Sequence, residues 1–332
     1  MIICRTPFRI SLFGGGTDFP SWYKNNLGMV ISGSINKYCY ITVRKLPSVF
    51  PFNFRLRYHD TEQVRDINKI RHGPYREILK NFNYHNGNIE IVHSADLPSL
   101  SGLGGSSSST VCAIHAVSAL RDQLFNKKKI AKLALKIEQE KLRESVGSQD
   151  QITAAFGGFN LIEFNTLSDF HVQNIINEQK INILNQSSIL LYTGIRRLSE
   201  KIERQKITNI NRGKIKENLD SINEITNRAL NEFTKRKMNL KKIGSLMNLY
   251  WKQKKQLTNN VSNKLIDGIC NIAMKNGAYG VKLLGSGGGG FVYILCPAKL
   301  KRKICSKLKK YKIVNFNFEN SGSTIIYNKT LF

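Results

Sequence analysis

Residues 96–116 read DLPSLSGLGGSSSSTVCAIHA: a proline, three glycines and a run of four serines stand directly in front of an apolar segment. Val111, Ile114, Val117 and Leu120 recur at close to helical spacing, which predicts a helix from Ser107 to Leu120. A helix that begins among small residues leaves its first N–H groups uncovered and directed outward, where the helix dipole also favours negative charge. One serine suffices to cap such a helix. The glycines are surplus to capping and suit close approach of the backbone to a ligand. The stretch therefore reads as a phosphate cradle made of Pro98, Ser101, Gly102, Leu103, Gly104, Gly105, Ser106, Ser107 and Ser108.

Working outward, NIEIVHSADLP is a strand that feeds the cradle. The N-terminal IICRTPFRISLF is strand-like, interrupted by Pro7, and ends in GGGTDFPSWY, where Gly14, Gly15 and Gly16 can turn the chain sharply. MVISGSINKYCYITVRKL and FNFRLRYHD alternate apolar and polar residues, as antiparallel strands with one wet face do. A short helix is predicted around PYREILKNF, and a longer one over about Lys129–Glu144 with Ile130, Leu133, Ile137 and Leu142 along one side. VGSQDQITAAFGGFNLIEF then reads as a loop, a short helix opening at Asp150, a glycine stop and a strand. Near Asn182 the character changes: SSILLYTG is a strand, and the chain is helical from there to about Asn276. GVKLLGSGGGGFVYIL is strand, glycine loop and strand, followed by a lysine-rich helix and two closing strands. The expectation is an α+β chain of two domains, residues 1–181 and 182–332, with the closing strands packing on the first.

Length and composition agree with an enzyme-sized folded body: 332 residues, 41% hydrophobic. No run of about 18 apolar residues and no leader pattern occurs, so a cytoplasmic protein without a membrane role is expected. The six cysteines have no C-x-x-C spacing, which argues for reduced packing residues over disulfides or zinc. A net charge of +28 raises nucleic-acid binding. The lysines are spread through the chain among Asn and Ile, however, and the last lysine-rich helix keeps Leu300, Ile304 and Leu308 on one side. That charge run is a solvated face, and small anionic substrates are the better match.

Common phosphate loops fail on context. G-x-x-x-x-G-K-[ST] is absent, and GSGGGG at 285–290 satisfies G-x-G-x-x-G but leads into a strand where a dinucleotide site needs a helix. Pro98, Gly102, Leu103, Gly104, Gly105, Ser106 and Ser107 instead follow the register of P-x-x-x-G-L-G-S-S-A, with small residues replacing Ser and Ala at 105 and 107. With RTPFRISLFGGGTD before it and KLLGSGGGG after it, the chain resembles the small-molecule kinase family of galactokinase, homoserine kinase, mevalonate kinase and phosphomevalonate kinase over nearly its whole length.

That resemblance implies a mixed-sheet N-terminal domain, a ferredoxin-like C-terminal domain, and phosphoryl transfer from ATP with Mg²⁺ between them. GGGTD and GSQDQ look most like the branch that phosphorylates anomeric oxygens, which implies a heptose 7-phosphate or a related sugar as acceptor. Galactose or fucose kinases, and a regulatory protein on the same fold, are the alternatives. Asp150 is implied to orient the acceptor hydroxyl, or simply to cap its helix. Arg9 is implied to neutralise the transferring phosphoryl or to hold Asp150. Ser106 and Glu138 are implied as metal ligands, with Glu140 as the rival carboxylate. Asp18, with Gly15, Gly16 and Thr17, is implied to meet sugar hydroxyls. Arg196, Arg197, Arg55 and Arg57 are candidates for a phosphate on the acceptor, and Gly285, Gly287, Gly288 and Gly289 for supporting the phosphate site. A homodimer is possible within this family.

Overall fold

The computed structural model describes residues 1–85, 87–165, 169–196, 200–259 and 261–329. The first half of the chain contributes strands β1 (Ile2–Phe13), β2 (Gly28–Lys45), β3 (Phe54–Arg57), β4 (Thr61–Val64), β5 (Ile89–Ala95), β6 (Phe159–Phe164) and β7 (Phe170–Asn174). Between them lie helices α1 (Pro20–Tyr23), α2 (Gly73–Asn81), α3 (Gly105–Leu120), α4 (Lys127–Leu135) and α5 (Gln149–Phe156). The second half runs α6 (Glu178–Ser187), β8 (Ser188–Tyr192), α7 (Glu200–Asn211), α8 (Lys216–Thr234), α9 (Leu240–Gln256), α10 (Lys264–Lys275), β9 (Gly280–Leu283), β10 (Phe291–Leu295), α11 (Lys301–Lys307), β11 (Lys312–Val314) and β12 (Thr324–Asn328).

Eight strands form one sheet in the order β12-β1-β2-β5-β3-β4, with β6 and β7 branching from β2. The branch follows from length: the 18 residues of β2 pair with β6 over Gly28–Gly33 and with β5 over Cys39–Lys45. Pro7 does not end β1; the strand continues through it with a register shift against β2 between Pro7 and Phe8, the irregularity that a residue without an N–H requires. β12 pairs antiparallel with β1, so the end of the chain returns to the first sheet. The second sheet is antiparallel, β11-β8-β10-β9.

The second sheet is covered on both faces, and β10 shows it residue by residue. Phe291, Tyr293 and Leu295 join the large core, whereas Val292, Ile294 and Cys296 join a second cluster with Ile266 and Ile269 of α10 and Ile304 of α11. That is the period-two division of a strand between two layers. The large core also takes Leu219 and Ile222 of α8 and Met247 and Tyr250 of α9 together with Phe13 of β1, so helices of the second half pack on the first sheet. Helix α6, absent from the sequence expectation, runs across position 181/182, where the chain was expected to divide. Among the described residues no helix is long and apolar enough to cross a membrane.

Candidate active site

α3 begins at Gly105, one turn of small residues ahead of its apolar face, and its N-cap Gly104 is left-handed at φ 75°. The first helical bond is Ser108 N–H to Gly104 O (2.9 Å), so the N–H groups of Gly105, Ser106 and Ser107 precede the ladder and are available to an anion. The four serines have separate tasks. Ser106 is exposed on the wall of a cavity of about 160 Å³. Ser107 donates to Glu138 Oε2 (2.9 Å), Ser108 to Pro7 O (3.0 Å), and Ser109 shares a hydrogen bond with the Tyr75 hydroxyl (2.7 Å). Buried Leu103 fixes the front of the loop, its carbonyl accepting from Arg9 N–H at 3.0 Å.

Arg9 of β1 and Asp150 in the first turn of α5 meet on the wall of that cavity. The guanidinium holds Asp150 through both carboxylate oxygens, Nε to Oδ1 and Nη2 to Oδ2, each 2.7 Å. Its third nitrogen, Nη1, donates to Gly102 O at 2.7 Å. One side chain thus ties the carboxylate to the phosphate loop in a planar, two-pronged geometry. Asp150 keeps 24% of its side chain accessible, enough to meet a ligand, and at a helix start its charge is favoured by the dipole. It makes no cap; the α5 N-cap is Ser148.

Asp18 is buried in the glycine turn after β1. Its Oδ1 accepts from Gly16 N–H (2.9 Å) and its Oδ2 from Gln149 N–H (3.4 Å), which joins the turn to the start of α5. Burial raises its pKa above the usual carboxylate value, against the Gly16 hydrogen bond. Glu138 sits in a π-helical turn, Lys136–Lys141, that continues α4. It is buried, accepts from Ser107 and from the Gln151 amide, and has its pKa pushed up to about 7 by burial. Its Oε1 has no hydrogen-bond partner among the described residues.

The sequence pattern of the family described as GHMP kinases N terminal domain matches residues 72–158, and that described as GHMP kinases C terminal matches 228–313. A D-glycero-alpha-D-manno-heptose 7-phosphate kinase of Campylobacter jejuni is 30% identical, the alignment covering 96% of each chain. The chain is a GHMP kinase. The fold agrees with solved members. A D-glycero-D-manno-heptose 1-phosphate kinase from Bacteroides thetaiotaomicron superposes with a TM-score of 0.75 at 22% identity, over 99% of this chain and all of that one. Lactococcus lactis galactokinase superposes with 0.74 at 17% identity, over 97% and 94%. This GHMP kinase is an ATP-dependent sugar kinase.

The cavity of this GHMP kinase brings together Arg9, Gly15, Gly16, Asp18, Ser101, Gly102, Gly104, Gly105, Ser106, Ser107, Asp150, Gly285, Gly287 and Gly289 from the expected set. Other expectations are corrected. Thr17 faces inward: it is buried, donates to Gly14 O (2.9 Å) and accepts from Met29 N–H (3.1 Å), so it holds the turn and does not face the cavity. Ser107, not Ser106, hydrogen-bonds Glu138, and both serines line the cavity. Glu138 itself lies behind the wall. Pro98, Leu103, Ser108 and Gly288 shape the loops from outside the lining; Gly288 N–H is spent on Val261 O at 2.9 Å. Arg196 is exposed and outside the wall, next to Ile195, whose carbonyl accepts from Gly290 N–H. Arg197 lies outside the described residues. Arg55 is buried in an ion pair with Glu90, which Arg44 and Arg57 also approach, far along the sheet.

The cations the sequence reading missed are Lys206 of α7 and Lys254 of α9, which line the cavity with Glu203. Lys206 is buried and paired with Glu203 at 2.6 Å. One signal was present: Ile202, Lys206 and Ile210 recur every four residues, a lysine on the apolar stripe of its helix.

Proposed function

We propose that this kinase transfers the γ-phosphoryl group of ATP to the anomeric hydroxyl of D-glycero-D-manno-heptose 7-phosphate, giving the 1,7-bisphosphate. The observation that carries this reading is Arg9, which binds Asp150 with two nitrogens and the phosphate-loop carbonyl of Gly102 with the third. A nucleotide on the uncovered N–H groups of α3 and an acceptor hydroxyl on Asp150 are then set in one register, and phosphoryl transfer depends mainly on such positioning. Asp150 orients the attacking hydroxyl and takes its proton late, as the new bond forms. Asp18, rigidly held by two backbone N–H groups, accepts from other hydroxyls of the sugar. The relative that spans 96% of each chain supports the heptose phosphate.

The donor set suits a magnesium ion, which needs few protein oxygens when phosphate and water supply the others. Glu138 would hold it, its Oε1 buried and without a hydrogen bond, with a serine hydroxyl from the start of α3. When bound, the ion neutralises nucleotide phosphate charge.

The test is ADP release with MgATP against D-glycero-D-manno-heptose 7-phosphate, free heptose, mannose 6-phosphate, galactose, fucose and mevalonate, with the product's new phosphate located by NMR. Turnover highest on the heptose 7-phosphate, with a new phosphorus coupling at C1, is the expected result. Highest turnover on an unphosphorylated sugar, or phosphate at another oxygen, overturns the assignment.

A further inference from the structure

The cations in the cavity are committed to very different degrees. Arg9 has all three nitrogens engaged, two on Asp150 and one on Gly102 O. Lys206 is neutralised by Glu203. Lys254 is buried on the same wall, and among the described residues it has no carboxylate partner; its ammonium donates to Gly285 O. An ammonium carries three donors, so two remain for the cavity. Burying a cation without a counter-ion is costly, and a purely structural lysine resolves that cost differently, as Lys282 shows. Lys282 is fully buried behind it, donates to both Ser11 O (2.8 Å) and Leu12 O (2.9 Å), and lies 4.2 Å from the Tyr250 ring centroid.

The location of Lys254 narrows what the two remaining donors meet. Gly285, which holds the ammonium, is packed so closely on Gly102 of the phosphate loop that a Cβ on it would lie 2.5 Å from the Gly102 Cα. Charged groups face Lys254 from every neighbouring element: Lys206 and Glu203 from α7, Arg9 from β1, Asp18 from the turn after β1, and Lys282 from β9. The amine therefore stands where the phosphate loop meets the two acceptor-side carboxylates. We propose that Lys254 is a catalytic residue, the cation that binds the γ-phosphoryl group of the nucleotide and neutralises its oxygens during transfer. In that step the bond from the γ-phosphorus to the ADP oxygen breaks, a bond to the acceptor oxygen forms, and the acceptor proton goes to Asp150. Lys254 stays an ammonium throughout and transfers nothing.

Burial, then the neighbouring Lys206, lowers the amine to about 7 in the free protein. The dianionic γ-phosphoryl group of the bound nucleotide restores the proton, so Lys254 takes up a proton when MgATP binds above neutrality.

The test uses the full chain and no acceptor, so it stands apart from the choice of sugar. Affinities for MgATP and MgADP are measured by calorimetry at saturating magnesium for the unaltered protein, Lys254→Met and Lys254→Arg. Lys254→Met is expected to lose tenfold or more in MgATP affinity with MgADP changed less than twofold, and Lys254→Arg to recover part of the difference. Proton uptake, read at pH 7.5 from the dependence of the heat on buffer ionisation, is expected to be greater with MgATP than with MgADP in the unaltered protein, and that difference is expected to vanish in Lys254→Met. Equal weakening of both nucleotides overturns the proposal, as does a difference in proton uptake between MgATP and MgADP that persists in Lys254→Met. Affinities for both nucleotides that are unchanged in Lys254→Met overturn it equally.

Discussion

Two glycine-rich turns meet in this protein, and they do different work. The turn at 102–105 opens a helix, whose first N–H groups lie ahead of the first ladder bond at Ser108. The turn at 285–290 joins two strands, and part of its backbone is committed within the protein: Gly288 N–H donates to Val261 O and Gly290 N–H to Ile195 O, while Phe291, the next residue, donates to Ser101 O. The first presents its amides together at a helix start, while the second commits two of its amides elsewhere and packs Gly285 against Gly102 of the first. Similar composition gives different backbone arrangements because a helix follows one turn and a strand the other.

Loss of Asp150 tests the chemistry that the first turn serves. Asp150→Asn keeps the shape of the Arg9 contact but removes the proton acceptor, and kcat should fall roughly 10²–10⁴-fold with the far-UV spectrum unchanged. A variant that retains most of its turnover would remove Asp150 from the reaction. Next in size is Gly285→Ala. The added Cβ would meet the Gly102 Cα at 2.5 Å in a backbone with φ +70°, so the two turns must separate, and a misplacement near 1 Å costs about 100-fold in kcat/KM. Steady-state kinetics indistinguishable from the unaltered enzyme would show that the second turn supports nothing.

Smaller effects separate serines of one run. Ser107→Ala takes a hydrogen bond from Glu138, and the magnesium concentration for half-maximal rate should rise about tenfold, as expected for a residue that orients a ligand. Ser109→Ala breaks only the contact with Tyr75. It should lower unfolding free energy by about 1 kcal/mol in a denaturant titration and leave kinetic constants alone. If both serines affect magnesium dependence equally, the division of labour along α3 is wrong.

Much of this was readable because it is local. The periodicity of Val111, Ile114, Val117 and Leu120 places a helix, and the small residues ahead of it place its open start; the helix begins at Gly105, two residues before the expected Ser107. Arg9, Asp18 and Asp150 could be named from motif register, although they lie more than 130 positions apart at the extremes. Glu138 was readable as a residue but not as a turn of π-helix, since its heptad-like surroundings carry no mark of the wider coil. Helix α6 was missed because INILNQSS reads equally as strand and helix over so short a span.

The sequence by itself determined most of the elements and the small-residue helix start of α3, because helix starts, turns and strand alternation are set by residues a few positions apart. Only the tertiary structure decided which cations are available. Arg55, a candidate by type, is spent on Glu90, whereas Lys254, unremarked in a lysine-rich helix, is desolvated at the cavity with no ion-pair partner among the described residues. Whether a charge is neutralised, solvated or waiting for a ligand depends on groups brought together from distant parts of the chain, and no local pattern encodes that proximity.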